Sequence, residues 1–470
     1  MKEVGLLMPI FALPSKYGIG DFGMEAYEFI DILNENNMTL WNILPLNPVG
    51  NSHCPYSTYA INALEPLYIS LDLLVKENLL EKNDLIRHIT NGMVDYDYSY
   101  VYKYKMYRKA FKKFKLSIPN DYNEFKSCNK WAYLYGVYSK FYNLYKANWN
   151  SWDKNCLDYL NNKCIDEDTE FYIFLQYISL KQWLDLKKYA NSKNVKIIGD
   201  MPIYSDYNSA EVWAYRENFL LKEDKIEYCS GASPDYFNKE GQKWGHPLYN
   251  YEYMKKDNYK YWMDKFDFVY NIYDITRIDH FRAFDTYFKI PIDKGAICGK
   301  YELGPGKELL DKVFSKYDSN KFLVEDLGDL RKEVYELRDR YKLTGMKILQ
   351  YTLHDKTDEF LDNNNLIVYT GNHDNKTILG WYKILDKNAK NNIDFYLNNI
   401  EGNSFNEKII KYVLNLKHKY VILPIQDVLS LDDYSIWNTP GKNNVNNFKW
   451  KLENYNDLKC ELNIIKKYIE

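Results

Sequence analysis

The sequence predicts a (β/α)₈ barrel, and three observations support that prediction. Eight short apolar runs are spread along the 470 residues. Helical periodicity separates several of them, at 25–36, 171–188, 307–316 and 331–341. Acidic residues end three of the runs at similar intervals, since Glu325 follows Asp279 by 46 residues and Asp374 follows Glu325 by 49. A strand, a loop and a helix fit such an interval, so we expect the three acids at one mouth of a barrel.

The eight predicted strands are mostly continuous apolar runs, the pattern of parallel strands that are buried on both faces. They lie at 5–11, 39–46, 195–203, 275–279, 321–325, 346–351, 366–370 and 420–425. Two intervals are too long for simple loops. We expect a single barrel domain, 1–470, with mostly helical insertion subdomains at 47–194 and 205–270. These insertions follow the second and third strands, so they are expected to wall a cleft at the barrel mouth.

Composition excludes several classes of function. The formal net charge is −3, without the clustered excess of Lys and Arg that nucleic acid or an anionic membrane requires. The seven cysteines are an odd number without paired metal-ligand spacing, which predicts free thiols in a reducing compartment. The N-terminal apolar run is too short to cross a membrane and has no cleavage site. We therefore expect a cytoplasmic protein with no membrane partner.

The segment around Asp279 carries the strongest chemical signal. Along a strand side chains alternate, so Arg277 and Asp279 share one face, and the guanidinium is expected to keep Asp279 ionised as a nucleophile. A structural ion pair at a strand end is the alternative interpretation. Glu325 follows the apolar run 322–324, and we expect an anion beside it. The apolar setting and the anion predict a raised pKa for Glu325 and a role as general acid and base.

Aromatic and polar residues in two loops are candidates for sugar binding. Tyr56 lies in a proline-rich loop, 44–66, where a tyrosine ring offers flat apolar area and a hydroxyl to a sugar. Asp235, Gln242 and Trp244 lie in the turn-rich stretch 232–249 and are expected to form a lip over the cleft. A loop that is ordered only by its own aromatic residues is the alternative there.

An ordered set of short segments identifies the family that the chain resembles. The segments are GDFG, WNILPLNPVG, CPYS, IIGDMPIY, SAEVW, PDYF, GQKWGHPLY, RIDHFRAF, VEDLG, GMKILQY, YTGNHDNKTILGWY, LPIQDVL and NTPG. Each is weak alone, but together and in this order they resemble the 4-α-glucanotransferases called amylomaltase or disproportionating enzyme.

The resemblance implies a retaining glucan transferase on a (β/α)₈ barrel, with α-1,4-glucans and maltooligosaccharides as partners, no nucleic acid, and neither metal nor organic cofactor. It implies that Asp279 is the nucleophile, Glu325 the general acid and base, and Asp374 an acid that helps to distort the substrate. It also implies a set of sugar-binding residues: Tyr56, Asn208, Asp235, Gln242, Trp244, Arg277, His373 and Asn438. His280 is expected to be structural, and both a monomer and a dimer stay open.

The chain departs from the family pattern at several positions. His53 and Cys54 stand where the family usually has Asp-Ser. Asn208 stands where the family prefers Asp, so it keeps hydrogen-bonding capacity and loses a charge. Two other functions therefore stay open, a retaining α-glucan hydrolase and a non-catalytic glucan-binding protein. Net release of reducing ends would indicate the hydrolase, while the presence of all three acids disfavours the binding protein.

Overall fold

The computed structural model describes residues 2–50, 52–234, 239–353, 364–441 and 444–469, and at its centre is an eight-stranded parallel barrel. Strands β1 to β8 of the barrel, numbered along the chain, are Glu3–Leu7, Leu40–Asn42, Lys196–Met201, Ile275–Ile278, Phe322–Val324, Gly345–Ile348, Leu366–Tyr369 and Tyr420–Pro424. They pair in the order β5-β4-β3-β2-β1-β8-β7-β6. The Val324 N–H donates to the Thr344 carbonyl at 2.9 Å, which joins β5 to β6 and closes the ring. The predicted fold class is confirmed.

Each barrel strand is shorter than its apolar run, because residues beyond the strand ends are also buried. The predicted strand 346–351, for example, ends at Ile348 and continues as a helical turn, Leu349–Thr352. Burial therefore marks where the strands lie but not where they stop.

Helices surround the barrel between successive strands. Those on the barrel wall are Met24–Glu35, Glu167–Ser192, Lys260–Ile272, Gly306–Lys316, Lys332–Arg340, Ile378–Ile384, Lys387–Leu397, Phe405–Asn415 and Asn456–Ile465. The second begins before the predicted 171–188, because its first turn is acidic rather than apolar. The Asp166 side chain caps that turn by accepting the Thr169 N–H at 2.9 Å.

The interval between β2 and β3 is largely helical, as the sequence predicts. Besides the wall helix it contains Leu71–Lys76, Tyr96–Phe114, Asp121–Cys128, Lys130–Tyr145 and Asn155–Asn161. A buried lysine ties this interval to the barrel, because Lys103 Nζ donates to Asp21 Oδ2 at 2.9 Å and to the Leu67 and Ile69 carbonyls at 2.8 and 3.1 Å. All three ammonium donors are thereby satisfied without water.

The interval between β3 and β4 combines helices with strands. The helices before the wall helix are Ala210–Ala214 and Tyr251–Lys256. Two strands of this interval join two strands that follow β4, and the resulting antiparallel sheet has the order Lys300–Leu303, Thr286–Pro291, Tyr228–Ala232 and Gln242–Pro247. A separate hairpin pairs Leu221–Lys222 with Lys225–Ile226. The sequence did not predict the sheet, since its strands are short and only partly buried. Gly241, with φ of +72°, turns the chain into the strand that carries Gln242 and Trp244.

Two further expectations can be compared with the described residues. All seven cysteines are free, as their odd number and spacing predict. No helix in the described ranges is both long enough and apolar enough to cross a membrane.

Candidate active site

Arg277, near the end of β4, is the centre of a buried cluster of carboxylates. Its side chain is 5% exposed, and Nη1 lies 2.5 Å from Asp200 Oδ2. Nη2 lies 2.6 Å from Glu325 Oε2, while Asp279 Oδ1 is 3.3 Å from Nη1. The strand register explains the convergence, because Asp200 in β3 and Leu323 in β5 both pair with Arg277. One guanidinium therefore holds three carboxyl groups from three adjacent strands.

The backbone after β4 supplies a second contact to Glu325 Oε2, besides the contact from Arg277. His280 adopts a left-handed conformation with φ of 43°, and its N–H donates to Glu325 Oε2 at 3.0 Å. Such a conformation costs a non-glycine residue about 1–2 kcal/mol, which the surrounding contacts have to offset. From the sequence, His280 is expected to be structural. In the structure its backbone N–H contacts a predicted catalytic group, Glu325.

Asp326 anchors the chain immediately after Glu325. Its Oδ1 accepts the Met346 N–H at 2.7 Å, and its Oδ2 accepts Arg338 Nη1 at 2.6 Å. Glu325 itself extends the pairing with β4 by donating its N–H to the Ile278 carbonyl at 3.0 Å. The backbone on both sides of the Glu325 side chain is thus held in place, as a preorganised catalytic group requires.

The surroundings of Asp279 and Glu325 shift the pKa values of the two carboxyl groups in opposite directions. Burial and the neighbouring Glu325 carboxylate raise the pKa of Asp279 well above its ordinary value. Burial alone would also raise the pKa of Glu325, but Arg277 and the His280 N–H outweigh it and lower that pKa to about 2. These opposite directions favour Glu325 as the anion of the pair.

These two pKa shifts are the reverse of those predicted from the sequence. The sequence placed Arg277 beside Asp279 on one strand face and therefore predicted an ionised Asp279 and a protonated Glu325. In the structure the guanidinium lies closer to Asp200 and Glu325 than to Asp279. Alternation along a strand shows which residues share a face, but the partners of a long side chain depend on the adjacent strands.

Asp374 lies in the loop after β7, among residues that the sequence predicted as sugar-binding. Asn438 Nδ2 donates to Asp374 Oδ1 at 2.6 Å, and His373 Nε2 lies 3.4 Å from the same oxygen. The His373 ring stacks on Tyr56, with centroids 4.9 Å apart and 14° between the planes. The Tyr56 hydroxyl donates to Asp200 Oδ2 at 2.7 Å. Tyr56 therefore links the Asp374 side of the cluster to the Arg277 side.

The loop that carries Asp374 is fixed to the end of β8. Thr370 Oγ1 donates to Asp427 Oδ2 at 2.6 Å, and the Ile378 N–H donates to Asp427 Oδ1 at 2.8 Å. Within the loop, the Asp374 N–H donates to Asn372 Oδ1 at 2.8 Å. The 37% exposed Asp374 side chain is thus presented to the cleft by a loop that is hydrogen-bonded at both ends.

Trp244 contacts the segment that follows β4. Its ring meets the His280 ring edge to face, with centroids 4.9 Å apart and 88° between the planes, and its Nε1 donates to Gln242 Oε1 at 3.0 Å. Trp244 therefore contacts His280, the residue after Asp279, and Gln242 contacts Trp244. Asp235, the third residue of the predicted lip, lies outside the described residues.

Asn208 is not joined to the carboxylates by a hydrogen bond or ring contact within the described part of the chain. Its N–H donates to Asp206 Oδ1 at 2.8 Å, and its carbonyl accepts the Tyr138 hydroxyl at 2.6 Å. These contacts attach Asn208 to the insertion between β2 and β3. Its predicted role in sugar binding stays a prediction.

Asp200 is the residue of the cluster that was not identified from the sequence. It is 2% exposed and accepts both Arg277 and the Tyr56 hydroxyl. A signal for it was present, because the segment IIGD places an acid at the end of an apolar run, as in the other three cases. The uninterrupted continuation of that run into Met201, Pro202 and Ile203 obscured the strand end.

We expect Asp200→Asn to lower the rate of the reaction at this site about 10- to 100-fold. The amide loses the charge that binds Arg277, and hydrogen bonds to charged groups are worth about 1.5–3 kcal/mol. Initial rates of Asp200→Asn and Tyr56→Phe should be compared, since the second variant removes only the hydroxyl contact. If Asp200→Asn were no slower than Tyr56→Phe, the Asp200 charge would have no part in positioning Arg277.

The arrangement offers a specific set of chemical groups. A carboxyl pair that shares one proton can supply a nucleophile and an acid, and the guanidinium beside it stabilises negative charge. Tyr56, which contacts Asp200, and Trp244, which contacts His280, offer aromatic surface near the pair. Within the described ranges, no group of three or more His, Cys, Asp or Glu side chains has the arrangement of a metal site.

Comparisons with known proteins agree over nearly the whole chain. The family model described as 4-alpha-glucanotransferase matches residues 8–457. The 4-alpha-glucanotransferase of Aquifex aeolicus (strain VF5) is 35% identical over 478 aligned residues, which cover 98% of this chain and 97% of the relative. That of Clostridium butyricum is 35% identical over 95% of both chains. Among solved structures, an amylomaltase from Streptococcus agalactiae in complex with acarbose superimposes with a TM-score of 0.94 at 29% identity, covering 100% of this chain and 98% of that one.

Proposed function

Because the chain belongs to the 4-alpha-glucanotransferase family, we propose that it transfers α-1,4-glucan segments between maltooligosaccharides by a retaining double displacement. It is an enzyme of the 4-alpha-glucanotransferase type. The proposal adds a mechanism, in which Asp279 is the nucleophile, Glu325 the general acid and base, and Asp374 a group that binds the distorted sugar. The observation that supports it most is the buried cluster in which one guanidinium, that of Arg277, contacts both the Asp279 and the Glu325 carboxyl groups.

In the first step Glu325 protonates the glycosidic oxygen while Asp279 attacks the anomeric carbon. The proton must therefore move from Asp279 to Glu325 when the glucan binds. Positive charge that develops at the anomeric carbon favours the Asp279 anion, and the leaving oxygen favours a protonated Glu325. A single proton on the pair serves both arrangements, so this change needs no exchange with solvent. The bond from carbon to the leaving oxygen breaks, and an ester to Asp279 forms.

In the second step Glu325, now ionised, removes the proton from the 4-hydroxyl of an acceptor glucan. The acceptor oxygen attacks the anomeric carbon, the ester to Asp279 breaks, and the configuration is retained after two inversions. Arg277 faces both carboxylates in each step, so the negative charge of the pair stays balanced while it moves between them. The proposed steps use side chains of this chain only.

Asp374, His373, Asn438 and Tyr56 are proposed to bind the sugar ring that reacts. Contacts to ring hydroxyls that strengthen as the ring flattens supply several kcal/mol in glycosidases of this type. The close contacts of these residues with one another restrict how each side chain can turn. The amylomaltase from Streptococcus agalactiae was solved in complex with acarbose, and we propose that this chain binds acarbose as well.

Transfer instead of hydrolysis depends on which hydroxyl reaches the intermediate. An acceptor sugar prevails over water only if the cleft binds it and excludes solvent. Trp244 is proposed to serve this purpose, because its ring lies against His280, next to the nucleophile. The residues at 47–194 and 205–270 are proposed as insertion subdomains that wall the cleft.

We expect Trp244→Ala to shift the product ratio towards hydrolysis, because the variant opens the acceptor side to water. The measurement is the ratio of reducing ends released to glucose transferred, with maltotriose as substrate. Trp213→Phe is a suitable control, since Trp213 is a fully buried tryptophan whose ring packs against Tyr138, Phe141 and Trp152 of the insertions. An unchanged ratio in Trp244→Ala would show that Trp244 does not exclude water from the acceptor side.

The proposed function is tested by incubating the protein with maltotriose and following chain lengths and the total number of reducing ends. Glucose and longer maltooligosaccharides at a constant number of reducing ends are the expected result. A rising number would favour the retaining α-glucan hydrolase instead. Binding without turnover would favour a glucan-binding protein and would contradict the proposed mechanism.

A further inference from the structure

A closed circuit of contacts surrounds the Asp374 side of the site, and one of its members comes from the insertion between β2 and β3. That member is Tyr96, the first residue of the helix Tyr96–Phe114. It is 7% exposed and lies between two segments that carry proposed sugar-binding residues. One is the loop that contains Tyr56, and the other is the C-terminal segment that carries Asn438.

The first contact of Tyr96 is with the Tyr56 loop. The His53 ring stacks on the Tyr96 ring with centroids 3.8 Å apart and only 3° between the planes. His53 has φ of 57°, a left-handed conformation that turns its side chain onto the helix. Burial lowers the pKa of His53, which favours the neutral form of the stacked ring. Three residues further along, Tyr56 stacks on His373.

The second contact of Tyr96 is with the C-terminal segment. The Tyr96 hydroxyl donates to the Phe448 carbonyl at 2.8 Å. The Phe448 N–H donates to the Trp437 carbonyl at 2.5 Å, and Trp437 directly precedes Asn438. Asn438 then donates to Asp374, which adjoins His373 and so completes the circuit.

We infer that Tyr96 is a positioning residue, which holds Asn438 on Asp374 through the Phe448 carbonyl and aligns the Tyr56 loop through the His53 stack. This inference rests on the proposed role of Asp374 in binding the distorted sugar. Within the described residues Tyr96 makes no hydrogen bond or ring contact with Asp279, Glu325 or Asp374, so its hydroxyl acts through Asn438 and its ring through the Tyr56 loop. The insertion thereby contributes to the geometry of the reaction as well as to the walls of the cleft.

The chain offers a matched control two residues away on the same helix. The Tyr98 ring also stacks on a histidine, His88, with centroids 3.8 Å apart. Within the described residues, the Tyr98 side chain has no hydrogen bond to the segment that carries Asn438. Tyr96→Phe and Tyr98→Phe each remove one hydroxyl and keep one aromatic stack, so only the first breaks the circuit.

We expect Tyr96→Phe to lower kcat about 3- to 10-fold, the range for losing one neutral hydrogen bond, with KM for maltotriose unchanged. Affinity for acarbose, whose terminal ring is flattened, should fall by a similar factor. Tyr98→Phe should leave both values unchanged. In an Asn438→Ala background, Tyr96→Phe should change kcat by no more than about 2-fold, because the effects of residues that act through one another are not additive.

Two results would overturn the inference. The first is that Tyr96→Phe has the same kcat and acarbose affinity as Tyr98→Phe. The second is that Tyr96→Phe lowers kcat as much in the Asn438→Ala background as it does in the unmodified protein. Turnover by the unmodified protein tests the proposed function separately. If it failed to disproportionate maltotriose, both proposals would fall, whereas a normal rate in Tyr96→Phe would overturn only this one.

Discussion

Asp279→Asn is expected to lower the rate of maltotriose disproportionation by at least about 10⁴-fold, as the loss of a covalent nucleophile does in other enzymes. An amide oxygen cannot form the ester that carries the glucan between donor and acceptor. The variant should nevertheless fold, because the amide matches the carboxyl group in size, and burial and Glu325 raise the pKa of Asp279, which favours its neutral form. Initial rates and the thermal unfolding midpoint should be measured together.

Asp274→Asn provides the control at the opposite end of the same strand. Asp274 Oδ2 accepts the Ile197 N–H at 2.8 Å and Asn191 Nδ2 at 2.9 Å, away from the carboxylate cluster. Groups at that end of a barrel serve stability, so this variant should lower the unfolding midpoint and keep the rate. If Asp279→Asn retained a normal rate, Asp279 could not be the nucleophile.

Glu325→Gln is expected to lower the rate with maltotriose about 10³-fold, within the range that general acid and base catalysis contributes. The loss should depend on the leaving group. With α-maltotriosyl fluoride the first step needs no protonation, because fluoride leaves without an acid, so release of fluoride should be much less impaired than cleavage of maltotriose. Both rates can be measured on the same preparation. Equal losses with the two donors would exclude Glu325 as the acid.

The barrel could be predicted from the sequence because each strand lies in a buried apolar run that is longer than the hydrogen-bonded strand itself. The acids at the ends of β4, β5 and β7 were identifiable for the same reason, since each follows an apolar run and precedes a turn. The antiparallel sheet that presents Gln242 and Trp244 was not identifiable. Its strands are partly exposed and lack a clear alternation, so its formation depends on tertiary contacts.

The electrostatics of the site could be predicted only in part. The sequence identified the members of the ion pair, Arg277 and Asp279, but not the competition for the guanidinium by Asp200 and Glu325. Which carboxyl group holds the proton depends on distances across three strands, and a difference of 0.7 Å between contacts of 2.6 and 3.3 Å favours Glu325 as the anion. Sequence spacing contains no information on that scale.

Contacts between the insertion and the site show a similar limit. The stacking of His53 on Tyr96 joins residues from a loop and from a helix whose periodicity predicts only a packed face. The bond from Tyr96 to Phe448 spans 352 positions along the chain. Neither Tyr96 nor Phe448 has a neighbour in sequence that would indicate a role at the active site.

Trapping the covalent intermediate tests the central claim most directly. The Glu325→Gln protein should be incubated with α-maltotriosyl fluoride and analysed by intact and peptide mass spectrometry. Fluoride departure allows the first step, while the missing base slows the second, so a maltotriosyl ester should accumulate on the peptide that contains Asp279. Release of fluoride without any adduct, or an adduct on a different residue, would contradict the proposed mechanism.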